Sequence, residues 1–177
     1  MTKQSAVVKE IIKDLGAEDA QIVLNAIKKS RKDGNAETLR AILNTLKDTD
    51  EPSVEAAVIE FLFDLKDEES VAVLIEAIQD NEMSYYHNFL VSSFWQAAID
   101  GSAYLEVFVR AAIKGEYMTT LEALTVVENF DSAYSQSELT EFEADINEAV
   151  EEEENEDKKT LLISLGDVVR NLPIEGE

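Results

Sequence analysis

One spacing constrains this chain more than any other feature. Leu39-Ile42-Leu43-Leu46 steps by three and four, the period of one helix face, and returns 32 residues on as Val71-Leu74-Ile75-Ile78. A further step of 34 brings Leu105, Phe108, Val109 and Ala112, and another 34 brings Leu139, Phe142, Glu143 and Ile146. The intervening helices align too: Ala56, Val58, Ile59 and Phe61 with Leu90, Ser92, Ser93 and Trp95, then with Leu124, Val126, Val127 and Asn129. A short helix pair with one apolar stripe cannot bury that stripe alone, so recurring pairs must stack on one another. Units of roughly 34 residues, stacked about five times, account for the chain. We therefore expect an all-α fold: an α-α superhelix, a right-handed solenoid of about five stacked antiparallel helix pairs, forming one domain over residues 1–177.

The punctuation agrees. Gly16, Gly34, Gly101 and Gly115 stand where helical patterns stop, and Pro52 sits where a first turn belongs. Asn35, Asp67, Ser84 and Asn155 read as N-caps, Ser135-x-x-Glu138 reads as a capping box, and Pro173 stops the last helix. The expected core contains Leu39, Ile42, Leu46, Val58, Phe61, Leu62, Leu74, Ile78, Leu90, Phe94, Leu105, Phe108, Leu124 and Leu165. No alternating strand pattern competes.

The stretch Leu46-Lys47-Asp48-Thr49-Asp50-Glu51-Pro52-Ser53-Val54-Glu55-Ala56-Ala57 resembles the junction of HEAT repeats: a Leu-x-Asp, a short acidic turn, Pro-x-Val, then small residues. Leu74-Ile75-Glu76-Ala77-Ile78-Gln79-Asp80 is similar to the end of that repeat's second helix. Glu55 stands where the family usually has Arg, and the junction at Asp80–Ser84 lacks the Pro. Tetratricopeptide repeats share the period, but their Trp/Leu-Gly/Tyr and Ala/Pro positions are not apparent here. The HEAT resemblance implies an ARM-type α-solenoid whose second helices line a concave face.

Charge narrows the functions. The chain carries 15 Lys and Arg against 38 Asp and Glu, a net of −23. Residues 1–47 hold nine basic and six acidic residues, a net of +3, and residues 48–177 hold six basic and 32 acidic, a net of −26. Such an acidic body repels phosphate backbones and anionic lipid, so neither nucleic acid nor membrane is expected as a partner. The asymmetry has three readings: a solvated surface, head-to-tail contact, or capture of a basic protein. The apolar runs are far too short to span a bilayer, which takes about 20 residues, and Met1–Ser5 carry no signal-peptide features; a cytoplasmic protein is expected.

Few residues can carry chemistry. There is no Cys, one His and no Gly-rich phosphate loop, so thiol nucleophiles, disulfides and Cys/His zinc sites are excluded, and no cofactor is expected. His87 reads as a surface or half-buried side chain, and Asp48 and Asp50 as turn residues. Asp131–Glu138 lacks the central Gly and spaced ligands of a calcium loop. Glu151–Asp157 reads as a solvated acidic run able to hold divalent cations only loosely. Phe89 and Trp95 are assigned to the core face, since Trp95 takes the place of Phe61 in the repeat. Tyr85 and Tyr86, at a helix start, are candidates for partner contact.

The opposite side of the repeating helix carries Arg40, Asn44 and Lys47, then Ala72, Glu76 and Gln79, then Glu106, Arg110 and Lys114, then Ala144 and Glu148. Of these, Arg40, Lys47, Glu76, Glu106 and Arg110, with Tyr85 and Tyr86, are the candidate partner-binding residues. Arg110 and Lys114 stand out as isolated cations in a negative field. The function expected is a non-enzymatic scaffold that mediates protein–protein interaction; an acidic body is compatible with a basic partner. The alternatives are an enzyme or chaperone-like lyase on the same scaffold, with His87 and Arg110 its only candidates, and an acidic nucleic-acid mimic that binds basic proteins.

Overall fold

A computed structural model describes residues 3–66 and 68–176, at 3 and 4 by the backbone alone. The described residues form ten α-helices: α1 Lys3–Leu15, α2 Ala20–Asp33, α3 Ala36–Asp48, α4 Pro52–Phe63, α5 Glu69–Gln79, α6 His87–Gln96, α7 Leu105–Lys114, α8 Tyr117–Val127, α9 Gln136–Glu152 and α10 Glu156–Arg170. Short 3₁₀ segments, Asn81–Tyr86 and Ser102–Tyr104, precede α6 and α7. The only β-type pairing among the described residues is a single bridge between Tyr134 and Ile174. The protein is all-helical.

Local chemistry sets most boundaries. The Asn35 side chain accepts from the backbone N–H groups of Glu37 and Thr38, satisfying donors left open at the start of α3. Ser135 and Glu138 close the anticipated capping box on α9, and Asn155 accepts from Asp157 and Lys158 at α10. Pro52 opens α4, where its missing N–H leaves nothing unsatisfied. The cap expected at Asp67 lies outside the described residues. Ser84 caps no α-helix; it falls inside the 3₁₀ segment, whose start is held by Asp80 accepting from Glu82 N–H at 2.9 Å.

The sixth helix also stops before Gly101. Ile99 N–H bonds to Phe94 C=O at 2.8 Å and Ala98 N–H to Trp95 C=O at 3.4 Å, with Ala98 left-handed at φ 54°. That is a Schellman ending with alanine in the place usually held by glycine. Gly101 has a different job: a Cβ there would lie 2.8 Å from the Phe108 ring and 2.9 Å from that of Phe94. Its absence lets those two rings meet edge to face, 4.9 Å between centroids.

Packing follows a regular order. Each odd helix packs on the even helix after it: α1 on α2, α3 on α4, α5 on α6, α7 on α8, α9 on α10. Each helix also packs on the one two places along, so odd and even helices form two files. One apolar core runs between them from Ile11 to Leu172. All fourteen residues of the expected core, Leu39 to Leu165, are buried, Ile42, Leu46, Val58, Leu62, Leu74, Leu90, Phe108 and Leu165 completely, whereas Phe89 and Trp95, also assigned to the core face, are not.

The odd file keeps the register read from sequence, with one difference: α5 joins α6 as the first member of a packed pair rather than closing a pair with α4. The even file departs from it. Val58 and Leu62 of α4 are matched in burial by Leu90 and Phe94 of α6, a step of 32 rather than 34. Trp95 is therefore not the counterpart of Phe61. It is 42% exposed, and its indole N–H donates to Glu122 of α8 at 2.7 Å. Phe94 fills the core instead, and Phe89 is half-buried. The step is the same 32 residues that separates α3 from α5, so α6 keeps the spacing of the neighbouring file.

Candidate functional site

The candidate residues on α3, α5 and α7 share the odd file, and Arg40, Lys47, Glu76, Glu106 and Arg110 are all exposed on it. The structure brings several of them together. Arg40 donates to both carboxylate oxygens of Glu76, Nε to Oε2 at 3.2 Å and Nη2 to both at 3.1 Å. Lys47 pairs with Glu82 and stands 3.8 Å from Asp80. The Glu82 bond holds the Lys47 ammonium above its ordinary range. Thus two candidate cations on α3 are engaged by acids of the next helix of their file and the turn after it.

Two further cations of the basic head are also paired. Arg31 of α2 pairs with Asp64 at the end of α4 and lies 4.0 Å from Glu60. Its guanidinium also sits 5.8 Å from the centre of the Phe61 ring. Lys29 pairs with Glu10 at 3.1 Å. The charge asymmetry between head and body is partly neutralised inside the molecule, along the seam where α2 and α3 meet α4 and α5.

Two of the grooves between successive helices of the odd file carry candidate residues. The first, between α3 and α5, is lined by Arg40, Leu43, Asn44, Lys47, Val73, Glu76, Ala77, Asp80 and Met83 and encloses about 210 Å³. Its ion pairs bridge it. The second, between α5 and α7, encloses about 540 Å³. Ile78, Gln79, Asn81, Ser84, Tyr85 and His87 line one side, and Val107, Arg110, Ala111, Lys114, Gly115, Glu116 and Thr119 the other. Here Arg110 and Tyr85, proposed separately from sequence, face one space. Arg110 pairs with Glu106 of its own helix at 2.7 Å, and Lys114 makes no ion pair with a described residue. Gly115 lets the end of α7 pass close to α8: a Cβ there would lie 2.6 Å from the Ala111 carbonyl and the Thr119 side chain.

The two tyrosines separate in role. Tyr85 is 76% exposed at the groove edge. Tyr86 is half-buried, packs edge to face on Tyr85 with ring centres 5.0 Å apart, and donates to Glu55 at 3.1 Å. Burial, then the Glu55 carboxylate, raises its phenol above the ordinary value. Tyr86 thus supports the Tyr85 ring, and Glu55 of α4 holds Tyr86 in place. His87 is half-buried, with Nε2 3.0 Å from the Asp80 carbonyl.

Asp48 ends α3 and Asp50 lies in the turn before α4. The acidic run is divided between the end of α9, a short link and the start of α10. Within it Glu153 pairs with Lys158 at 2.8 Å, which lowers the carboxyl below its usual range. The mostly buried Lys158 also donates to the Ile113 carbonyl of α7 at 3.1 Å, tying that helix to α10. Among the described residues, no group of three acids and histidines is arranged to hold a metal ion, and no helix is long and apolar enough to cross a membrane. The Asp131–Glu138 segment is held by Tyr134, whose hydroxyl donates to Ser102 C=O at 2.8 Å. Its backbone exchanges hydrogen bonds with Pro173 and Glu175.

The sequence reading found Arg110, Lys114 and Tyr85 but did not join them. The available signal was the 34-residue step itself. It aligns Val73, Glu76, Ala77 and Asp80 with Val107, Arg110, Ala111 and Lys114, and so shows two acids replaced by two cations. The chain matches no family model, no curated protein and no solved structure.

Proposed function

We propose that this chain is a non-enzymatic binding module of the cytoplasm, a right-handed HEAT-like solenoid of antiparallel helix pairs whose odd-numbered helices present the surface for a protein partner. The alternation of contacts supports the solenoid reading, since each helix packs on its pair-mate and on its neighbours within one file. The observation that carries the binding role is the open α5/α7 groove, with Tyr85 exposed at its edge and Arg110 and Lys114 on its wall. Exposed aromatic and arginine side chains beside a groove are what protein interfaces use as anchors.

A photoreactive phenylalanine derivative at Tyr85 in the full chain, expressed in the cells it comes from, tests this. It should crosslink to a discrete protein, while the same group at Gln21 of α2 should not. Equal labelling at both positions, or none at Tyr85, would overturn the binding role. A solution scattering curve that fits a compact bundle better than a curved two-layer array would overturn the solenoid.

A further inference from the structure

We propose that the α5/α7 groove receives an acidic segment of the partner protein, whose carboxylates pair with Arg110 and Lys114; this rests on the binding-module reading above. The first groove supplies the template. There Glu76 of α5 and Asp80, just past its end, face Arg40 and Lys47 of α3 and engage them across the groove. One repeat on, α7 presents Arg110 and Lys114 at the positions of Glu76 and Asp80. The α5 positions that correspond to Arg40 and Lys47, at the 32-residue step, are Ala72 and Gln79. Neither is charged, so the second groove holds two cations and no acid across from them. Arg110 turns back to Glu106 in its own helix, and Lys114 has no described ion-pair partner. Glu116 is the one carboxylate on the groove wall, and it forms no ion pair with a described residue either.

The missing acid of the repeat is what a partner would bring. A peptide carboxylate suits the place better than a nucleic acid. DNA carries one charge per roughly 1.7 Å of duplex, and its phosphates would meet Glu116 on the groove wall and Glu106 beside Arg110. A short acidic segment can set one or two carboxylates on the cations and lay its backbone or an apolar side chain against Tyr85, Val107 and Ala111. At physiological ionic strength, screening over about 8 Å spares such a local pairing while muting repulsion from the distant acids.

The test is fluorescence anisotropy of a fluorescein-labelled octa-glutamate peptide with the full chain at physiological salt, beside octa-glutamine and octa-thymidylate of the same length. Saturable binding of octa-glutamate alone is expected. Arg110→Glu with Lys114→Glu should weaken it at least tenfold, and Arg40→Glu should leave it within twofold. Gln79→Glu keeps the test sound if the double variant unfolds by circular dichroism, because it offers Lys114 a carboxylate within the chain and should weaken binding severalfold. No octa-glutamate binding, binding indifferent to Arg110, Lys114 and Gln79, or tighter binding of octa-thymidylate would each overturn the proposal. If the peptide fails while the Tyr85 crosslink still captures one protein, the binding module stands and only its ligand chemistry falls.

Discussion

At the α3/α5 junction five charged side chains meet across the groove and bridge it; at the α5/α7 junction the same repeat positions leave the groove open. The floors beneath are alike. Ile42 and Leu46 of α3, Leu74 and Ile78 of α5, and Phe108 and Ala112 of α7 are buried at equivalent positions. The walls differ because exposed positions carry little folding energy. An exposed ion pair contributes about 0.2–1 kcal/mol, whereas truncating a buried Leu costs about 2–5 kcal/mol. A repeat can therefore reverse its surface charges without losing its fold.

The largest effects should ignore the difference between the two junctions. Leu74→Ala is expected to cost about 2–5 kcal/mol and Phe108→Ala about 3–5 kcal/mol, through lost transfer energy and the cavity left behind. Urea unfolding reads both. If either variant melts like the parent, the shared floor is misassigned and the comparison breaks.

A second prediction separates the regions by pH. Burial, before its acidic neighbours, pushes the Tyr134 phenol up to about 12, while an unfolded tyrosine titrates near 10. The folded state thus keeps a proton that the unfolded state has lost. Stability from this group is whole below about pH 10 and is lost as pH rises toward 12. Tyr134→Phe should cost about 0.5–1.5 kcal/mol at neutral pH, for the lost bond to Ser102, and should flatten the alkaline decline. Hydrogen exchange at pH 10 to 11 should show the α9 end opening before the α3/α5 junction; simultaneous opening would sink the distinction.

Charge changes sharpen the comparison at smaller scale. Glu76→Arg removes a two-pronged cross-helix pair and sets like charges together, with an expected cost of up to about 1 kcal/mol. Arg110→Gln breaks only a pair within one helix, for which about 0.3–0.5 kcal/mol is expected. Equal costs in chemical denaturation would mean that the α3/α5 ion pairs do not bind the two helices together.

The smallest effect is that of salt. Self-repulsion among 38 acids should make the melting temperature rise from low to physiological ionic strength. Lys47→Gln removes an attraction that screening would otherwise weaken, so its rise should be steeper than the parent's. A parent that falls instead would show that the seam of head-to-body pairs outweighs the repulsion.

Much of the fold was legible in the residues themselves. The three-and-four spacing of apolar side chains identified the helices, and Asn35, Pro52, Ser135 and Asn155 marked starts through local hydrogen bonding that needs no distant partner. The odd-file core and the exposed ridge followed from the same period. What only the tertiary structure decided lies where a contact joins residues about one repeat apart or where two repeat steps compete. Packing settled that α6 follows α4 by 32 residues, as α5 follows α3, which buries Phe94 and leaves Trp95 42% exposed. Arg40, Lys47 and Arg31 became internal ties because stacking set acids 33 to 36 residues away beside them. Arg110, Lys114 and Tyr85 came to share a groove for the same reason: apolar period sets which face of a helix is buried, whereas packing alone sets which exposed side chains become neighbours.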